Sequence, residues 1–521
     1  MEFLIQGIHA ALQPLTLLLT VAGVALGLVI SAMPGLTVSM AVVLLLPFTF
    51  YLPSGPSLGL MLGVFVGGMA GGAISAILIN IPGNPASVIT NVDGYPMTKK
   101  GRADLALGIA FLSSILGGLF GLIVLVLVAP QLADFALLFG APEQAMLVLL
   151  GLTLVAGFSE GALIRGLISA GIGLAIATVG LDPITASSRY TFGTVIFQQG
   201  ISFIPVMIGM FAIPVAIQSL RQKDGEIPEN NSVSVHSFVG IKEAFGKLKS
   251  LGVCILRSSM IGSIIGAIPG TGSAIAATIS YQYAERLSRD RETPFGEGHP
   301  EGISAPEAAN SALTGGALIP MLILGIPGDP VTAVMLGALI IQGLSPGPLL
   351  FQNSPEIVYG LFGSYGVALI VLSIVAVFGI PFFVRAVRIP VRILMSAIVL
   401  LCVIGSFALK NSVLDVWIML FFGALAFYMQ KWKYPILPML LALILGKILE
   451  EQFRMSLIIG LGDPLIFMKK PISLTFMVLT VVYLVWTLRQ EWRARRAVAA
   501  KFTKSTSGEG CYEKGPKNDS R

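Results

Sequence analysis

The chain has 521 residues, of which 55% are hydrophobic and only 12% charged, where a soluble globular domain carries about 25% charged residues. With a mean hydropathy of +0.87, this excludes an ordinary soluble domain and predicts an all-α polytopic membrane protein. The formal net charge of +6 is concentrated in loops and in "RQEWRARRAVAAKFTK" (489–504), which reads as a positive-inside bias rather than a nucleic-acid surface.

From the N-terminus, no basic residue precedes Lys99, so the charged start of a signal peptide is not expected. A first apolar arm, "GLVISAMPGLTVS" (27–39), is interrupted at Pro34 and Gly35 and followed by Thr37 and Ser39. The next, "GGAISAILINIPGNPAS" (71–87), carries Asn80, Pro82, Gly83, Asn84 and Ser87, with Thr90 just beyond. "NVDGYP" (91–96) predicts a turn capped by Asp93, ahead of Lys99, Lys100 and Arg102. Four apolar spans follow, near 105–129, 143–158, 162–180 and 200–220, and then a basic loop with Lys242, Lys247, Lys249 and Arg257.

The pattern then recurs. "GSIIGAIPGTGSA" (262–274) is interrupted at Pro269 and Gly270 and followed by Thr271 and Ser273. After a linker with Arg286, Arg289 and Arg291 comes "APEAANSALTGG" (305–316), which places Glu307 and Asn310 on one helix face. Glu307 reads either as a helix-start acid at the interface or as a proton or ion site. "GGALIPMLILGIPGDPVT" (315–332) repeats the earlier broken helix, longer by a single residue, with Pro327, Gly328, Asp329 and Thr332. Five more spans are expected near 357–382, 394–409, 414–429, 434–449 and 473–488. The loop 450–471 fits poorly as an outer loop, because it holds Arg454, Lys469 and Lys470. A polar end, disordered by composition, closes the chain.

Loop charge orients the repeats. The linker 48–58 has no Lys or Arg, while 284–302 has three Arg; after the broken helices the bias reverses, with bases at 99–102 and none in 343–360. Basic loops stay cytoplasmic, so the two repeats are expected to be inverted. Basic residues flank the Pro269 arm on both sides, which predicts a re-entrant hairpin over 258–283. Twelve residues from Arg257 to Pro269 span about 18 Å, enough to reach the midplane; a kinked span is the alternative. The expected fold is thus about eleven spanning helices plus two hairpins. It divides into a first repeat (1–104), scaffold helices with a cytoplasmic loop (105–257), the second repeat (258–345), C-terminal helices (346–490) and a cytoplasmic tail (491–521). The N-terminus is expected on the periplasmic side.

A helix broken in lipid frees backbone N–H and C=O groups that cost several kcal/mol each if unpaired. Matching breaks in two halves point to a transporter's binding site. The half-helix starts suit a carboxylate, and the freed carbonyls with nearby hydroxyl and amide oxygens suit a hard cation. The candidate substrate residues are therefore those at the four breaks, and the candidate coupling-ion residues are Asn80, Thr90, Glu307 and Asn310. No metal other than Na⁺ is expected. Three Cys (254, 402, 511) and three His (His9, His236, His299) are too scattered for redox, zinc or haem chemistry. GxxxxGK[ST] and HExxH are absent and "PGTGSAIA" is no dinucleotide fingerprint, so neither an enzyme nor a cofactor is expected.

"MPGLTVSMAVVLLLPFTF", "INIPGNPASVITNVDGYPMTKKGRADLAL", "RYTFG", "IPGTGSAIAATISY", "FGEGHPEGISAPEAANSALTGGALIPMLILGIPGDP" and "GLSPGP" together closely resemble the large membrane subunit of the tripartite tricarboxylate transporters (TctA-like), from the N-terminus to about residue 490. The resemblance implies a bacterial inner-membrane carrier. It implies a small four-helix membrane subunit and a periplasmic solute-binding protein as partners. It also implies uptake of carboxylates such as citrate, tartrate or aromatic acids driven by Na⁺ or protons. The architecture expected for such a symporter is of elevator type, with hairpins and broken helices moving against a scaffold of the other spans. Asp329 departs from the family's pattern, which commonly has a small hydroxyl residue after the second Ile-Pro-Gly. A pore for small anions and a carrier needing no binding protein are the competing readings.

Overall fold

The structure is a computed structural model and describes residues 2–33, 36–158, 163–221, 237–289, 292–379, 382 and 391–506. Pro34 and Gly35 of the first break, His236, Arg291 and the end of the chain beyond 506 lie outside the described residues. In order, the first half contains α1 (Glu2–Ala11), α2 (Pro14–Ala32), α3 (Val38–Thr49), α4 (Ser54–Ile79), α5 (Ser87–Lys99) and α6 (Ala103–Ala136). Then come α7 (Ala141–Phe158), α8 (Leu163–Ala177), a small antiparallel pair of β1 (Gly180–Leu181) with β2 (Ser188–Arg189), and α9 (Phe203–Arg221). The second half contains α10 (Ser237–Gly246), α11 (Leu248–Gly266), α12 (Gly272–Leu287), α13 (Pro300–Leu324), α14 (Pro330–Ile341), α15 (Leu349–Asn353) and α16 (Pro355–Ile374). It closes with α17 (Val391–Ala408), α18 (Val413–Lys431), α19 (Ile436–Ile459), α20 (Ile466–Lys469) and α21 (Pro471–Thr506).

The chain is a polytopic all-α membrane protein. Among the described residues, nine helices are long and apolar enough to cross a bilayer, and five more apolar helices are shorter. α4 and α13 are the most deeply enclosed of the nine, with 94% of each apolar window buried. They form the centre, and each is wrapped by the elements of its own half and by helices of the other. α2 and α3 pack on α4, and α11 and α12 on α13; α6 crosses to α13, and α16 crosses to α4. The outer pairings follow the same exchange, α1 lying on α16 and α10 on α6.

Apolar burial does not drive helices together in lipid, so close backbone approach through small residues must. A Cβ at Gly27 would lie 2.4 Å from the Val64 carbonyl oxygen, and one at Gly262 2.1 Å from that of Ala309. Gly71 backs on Leu28 in the same way, and Gly316 on Ser263. These contacts equate residues 235 apart in the arms and 245 apart in the central helices. Gly71 therefore matches Gly316, one position away from the expected alignment of the two Gly-Gly pairs. The stretch from that glycine to the Pro-Gly break is then of equal length in both halves, and the apparent extra residue disappears.

Several expectations change in detail. "NVDGYP" is not a turn: it lies inside α5, where the backbone hydrogen bonds continue through Gly94 to Pro96. The arm before Pro269 is α11, which starts at Leu248; its 19 residues rise about 28 Å rather than 18 Å. The stretch expected to open a disordered tail at 491 continues α21 to Thr506, in keeping with the helix propensity of its Ala, Arg and Lys. The awkward loop 450–471 is partly the end of α19, and two of its bases are paired. Arg454 meets Asp182 and Glu450, and Lys469 Nζ lies 2.7 Å from Asp463.

Candidate functional site: the paired helix breaks

Both central helices end alike. The residue that follows each adopts a left-handed conformation, Asn80 at φ 63° and Gly325 at φ 66°. In each, two successive amides turn back to one carbonyl, those of Asn80 and Ile81 to Ser75 and those of Gly325 and Ile326 to Pro320. This closing turn satisfies carbonyls that the break would orphan. Pro82-Gly83 and Pro327-Gly328 then carry the chain back across the preceding arm, α2 in the first half and α11 in the second. A Cβ at Gly83 would sit 1.9 Å from the Ser31 oxygen, and one at Gly328 2.3 Å from that of Gly266. The α11–α12 turn and the broken helix are joined directly in the second half, where the Gly270 amide donates to the Gly328 carbonyl (3.0 Å).

The half-helix starts were expected to be free. Three are not, because the polar residue at the break accepts the amide three residues on. Thr37 Oγ1 accepts from the Met40 amide (3.3 Å) at α3. Asn84 Oδ1 accepts from the Ser87 amide and hydroxyl (2.8 Å each) before α5. Asp329 Oδ1 accepts from the Thr332 amide (2.8 Å) and hydroxyl (2.6 Å) in a reciprocal capping box at α14. Asp329 is thereby held as a cap, with the α14 dipole favouring its charge. Only at α12 is the side chain turned away: the Thr271 hydroxyl donates to Ile265 and Ile268 carbonyls, and α12 has no side-chain cap. Ser273 lies half-buried in that first turn, whereas Ser39 is buried in α3.

The candidate ion residues divide. Asn80 is exposed and accepts from Asn91 Nδ2 (2.8 Å), apart from the rest. Thr90, Glu307 and Asn310 are fully buried and belong to one junction. Glu307 receives the Thr90 hydroxyl (2.6 Å) on one carboxyl oxygen and the Ser114 hydroxyl (3.0 Å) on the other. Asn310 Nδ2 donates to the Met69 carbonyl (2.9 Å), which also receives Asn84 Nδ2 (3.2 Å). Glu307 is thus not a helix-start acid at the interface: α13 begins seven residues earlier, and its carboxyl ties α13 to α5 and α6.

Asp93 also acts elsewhere than expected. Instead of capping its own segment, its carboxylate accepts the amides of Gly296, Gly298 and His299 (2.9, 2.9 and 2.7 Å) and the Tyr281 hydroxyl (2.8 Å). It therefore fixes the entry into α13 from the other half. Ser114 and the Met69 carbonyl were missed by sequence reasoning. The adjacent Ser113-Ser114 pair in an otherwise apolar run was the available signal; a backbone carbonyl gives none.

Comparison with known proteins follows the same lines. The Tripartite tricarboxylate transporter TctA family matches residues 17–441. A protein of Agrobacterium vitis described as "Uncharacterized 52.8 kDa protein in TAR-I ttuC' 3'region" is 34% identical over 493 residues, 94% of this chain and 96% of its own length. A second Agrobacterium vitis protein, "Uncharacterized protein in TAR-II ttuC' 3'region", is 34% identical over 235 residues, 45% of this chain and 97% of its own length. No solved structure matches.

Proposed function

The chain belongs to the tripartite tricarboxylate transporter TctA family, and from that premise we propose that it is the large permease subunit of a secondary carrier importing carboxylates across the bacterial inner membrane. In this reading it works with a small membrane subunit and a periplasmic solute-binding protein, and a gradient of Na⁺ or protons drives uptake. The observation that carries the reading is the junction of Gly270 with Gly328 beside the start of α12, which has no side-chain cap. Free amides at a helix start, in a water-poor interior, suit a substrate carboxylate.

Two inverted repeats, each with a re-entrant hairpin (α2–α3 and α11–α12), complete the proposal. Polar contacts between loops support it. Lys100 Nζ donates to the Glu297 carbonyl (2.7 Å) and Arg102 pairs with Glu243, so both ends of the α11–α12 hairpin return to one short basic segment. Gln342 Nε2, at the edge of 343–360, donates to Thr49 (2.6 Å) and Leu52 (3.2 Å) carbonyls, which ties together the two base-free linkers 48–58 and 343–360 that loop charge puts outside. The core that moves against a scaffold in an elevator cycle would comprise α1–α6 and α10–α16. α6 belongs with that core because it packs on α13.

Single cysteines test the topology. Gly55, Lys99, Arg286 and Asn353 are exposed. Cys at 55 and 353 should react with impermeant maleimide from the periplasm, and Cys at 99 and 286 only after the membrane is opened. Labelling of 55 and 286 from one side would falsify the inverted repeat. Uptake by the chain alone should be weak at micromolar carboxylate and restored by the two partners; full activity alone would reject the tripartite reading.

A further inference from the structure

Two deficits of opposite remedy sit one helical turn apart on α13. Glu307 is a fully buried carboxyl whose partners are two hydroxyl groups, and among the described residues no ion pair reaches it. The helices around it explain why. α4 has no charged residue, α13 has no basic one, and α6 is uncharged between Asp104 and Asp134. Asp93 and Lys99 of α5 lie three and nine residues from Thr90, and the Asp93 carboxylate already holds four donors of its own. A carboxylate moved into low dielectric without a cation is costly enough that it must gain a positive charge. Asn310 supplies the second deficit: its Nδ2 is committed to the Met69 carbonyl, and its Oδ1 is buried with no hydrogen-bond partner. Turning the amide over would set Oδ1 against the Met69 oxygen, so the orphan is built in.

We propose that one Na⁺ ion binds between the Glu307 carboxylate and Asn310 Oδ1, with the Thr90 and Ser114 hydroxyl oxygens completing its shell. This deepens, and rests on, the carrier reading above, choosing the ion and its ligands. The ligand set is all oxygen, which suits a hard cation. A single carboxylate neutralises a monovalent ion, whereas a divalent ion would leave a net positive charge buried. A proton on Glu307 would also neutralise the carboxyl, so the test sets Na⁺ against acid pH. The site joins α5 and α6 of the first half to α13 of the second, so filling it would lock the halves in one arrangement.

The test uses the purified full chain in detergent, with NaCl, KCl and choline chloride at equal ionic strength. Thermal unfolding should shift upward, saturably, with Na⁺ alone, and radioactive Na⁺ should bind with a stoichiometry near one. Glu307→Gln, nearly isosteric, and Asn310→Ala should each weaken the Na⁺ response at least tenfold. Ser114→Ala should weaken it severalfold. The salt series on the unaltered protein guards against variants that fail to fold. Equal shifts with K⁺ or choline, an undiminished response in Glu307→Gln, or replacement of the Na⁺ effect by acid pH would overturn the site. Because no carboxylate is present, Na⁺ binding without carboxylate uptake in vesicles that also hold the two partners would reject the carrier reading and leave this one standing.

Discussion

The two halves share a backbone plan but not a charge. Position for position, Asn84 of the first half meets Asp329 of the second, and both cap the helix after the break through the amide three residues on. The difference is what the other atom of the side chain does. Asn84 spends its Nδ2 on the Met69 carbonyl, while Asp329 has no proton to give and takes the Thr332 hydroxyl instead. Deeper in the central helices, Glu307 and Asn310 stand where the first half has Leu62 and Phe65, both fully buried. Symmetry thus builds the breaks, and departures from it concentrate the polar chemistry in the second half. A carrier with one coupling site needs that asymmetry, because two equal buried carboxyls would double the cost of an empty site.

The shared plan should be the least forgiving. Gly83→Val and Gly328→Val each force side-chain atoms into a carbonyl oxygen of the neighbouring arm, where even a Cβ is closer than 2.4 Å. Overpacking of this kind costs about 1–3 kcal/mol when neighbours can shift, and here the neighbour is backbone. We expect both variants to lose folded protein, measured as monodisperse yield in detergent. If one is tolerated and the other is not, the two breaks are not equivalent.

The next largest effect separates the halves. Asn84→Asp removes the donor to Met69 and adds a buried charge with no new cation, a change on the order of 3–5 kcal/mol. Asp329→Asn keeps the capping acceptor, and Asn caps about as well as Asp, so about 1 kcal/mol or less is expected. Thermal unfolding of the pair reads the difference directly. Equal losses would remove the reason for treating Asp329 as a cap.

Much of this was legible in the residues because Pro and Gly punctuate a helix by their own covalent structure. The breaks at Pro82 and Pro327, the matching halves and the basic segments all show in one dimension. The exchange of α6 and α16 between halves does not, since it depends on which small-residue faces meet. Asp93 shows the limit most clearly. Its neighbours in sequence suggest a local turn, yet its partners are more than 180 residues away, and no local pattern encodes them.

Thr90→Val probes the junction from the first half. Val keeps the shape of Thr but leaves one Glu307 oxygen without its 2.6 Å donor. The loss should be about 1–3 kcal/mol without Na⁺, and it should grow as Na⁺ is added, because the variant also lacks one of the ion's proposed ligands and gains less from binding it. A loss that is the same with and without Na⁺ would mean that Thr90 only packs.

The smallest effect should come from outside the symmetric core, in the clamp between the β1–β2 loop and α19. Arg189 forks onto Glu450 (2.6 and 3.1 Å), and Arg454 bridges Glu450 and Asp182. The Asp182 carboxyl is held well below the ordinary carboxylate range, first by the Thr185 amide and then by Arg454. A carboxylate depressed in the folded state stabilises it fully above its unfolded value of about 3.9 and loses that contribution as pH falls through the folded value. The loop should therefore resist protease equally from pH 8 to pH 5 and open only in stronger acid. Asp182→Asn keeps an acceptor for the Ile184 and Thr185 amides but loses the charge that draws Arg454. Its cleavage should be modestly faster at neutral pH and no faster in acid than that of the unaltered chain. Core unfolding should not change in either case. If it does, the outer clamp and the paired breaks are one cooperative unit, and the division between symmetric core and surrounding helices must be redrawn.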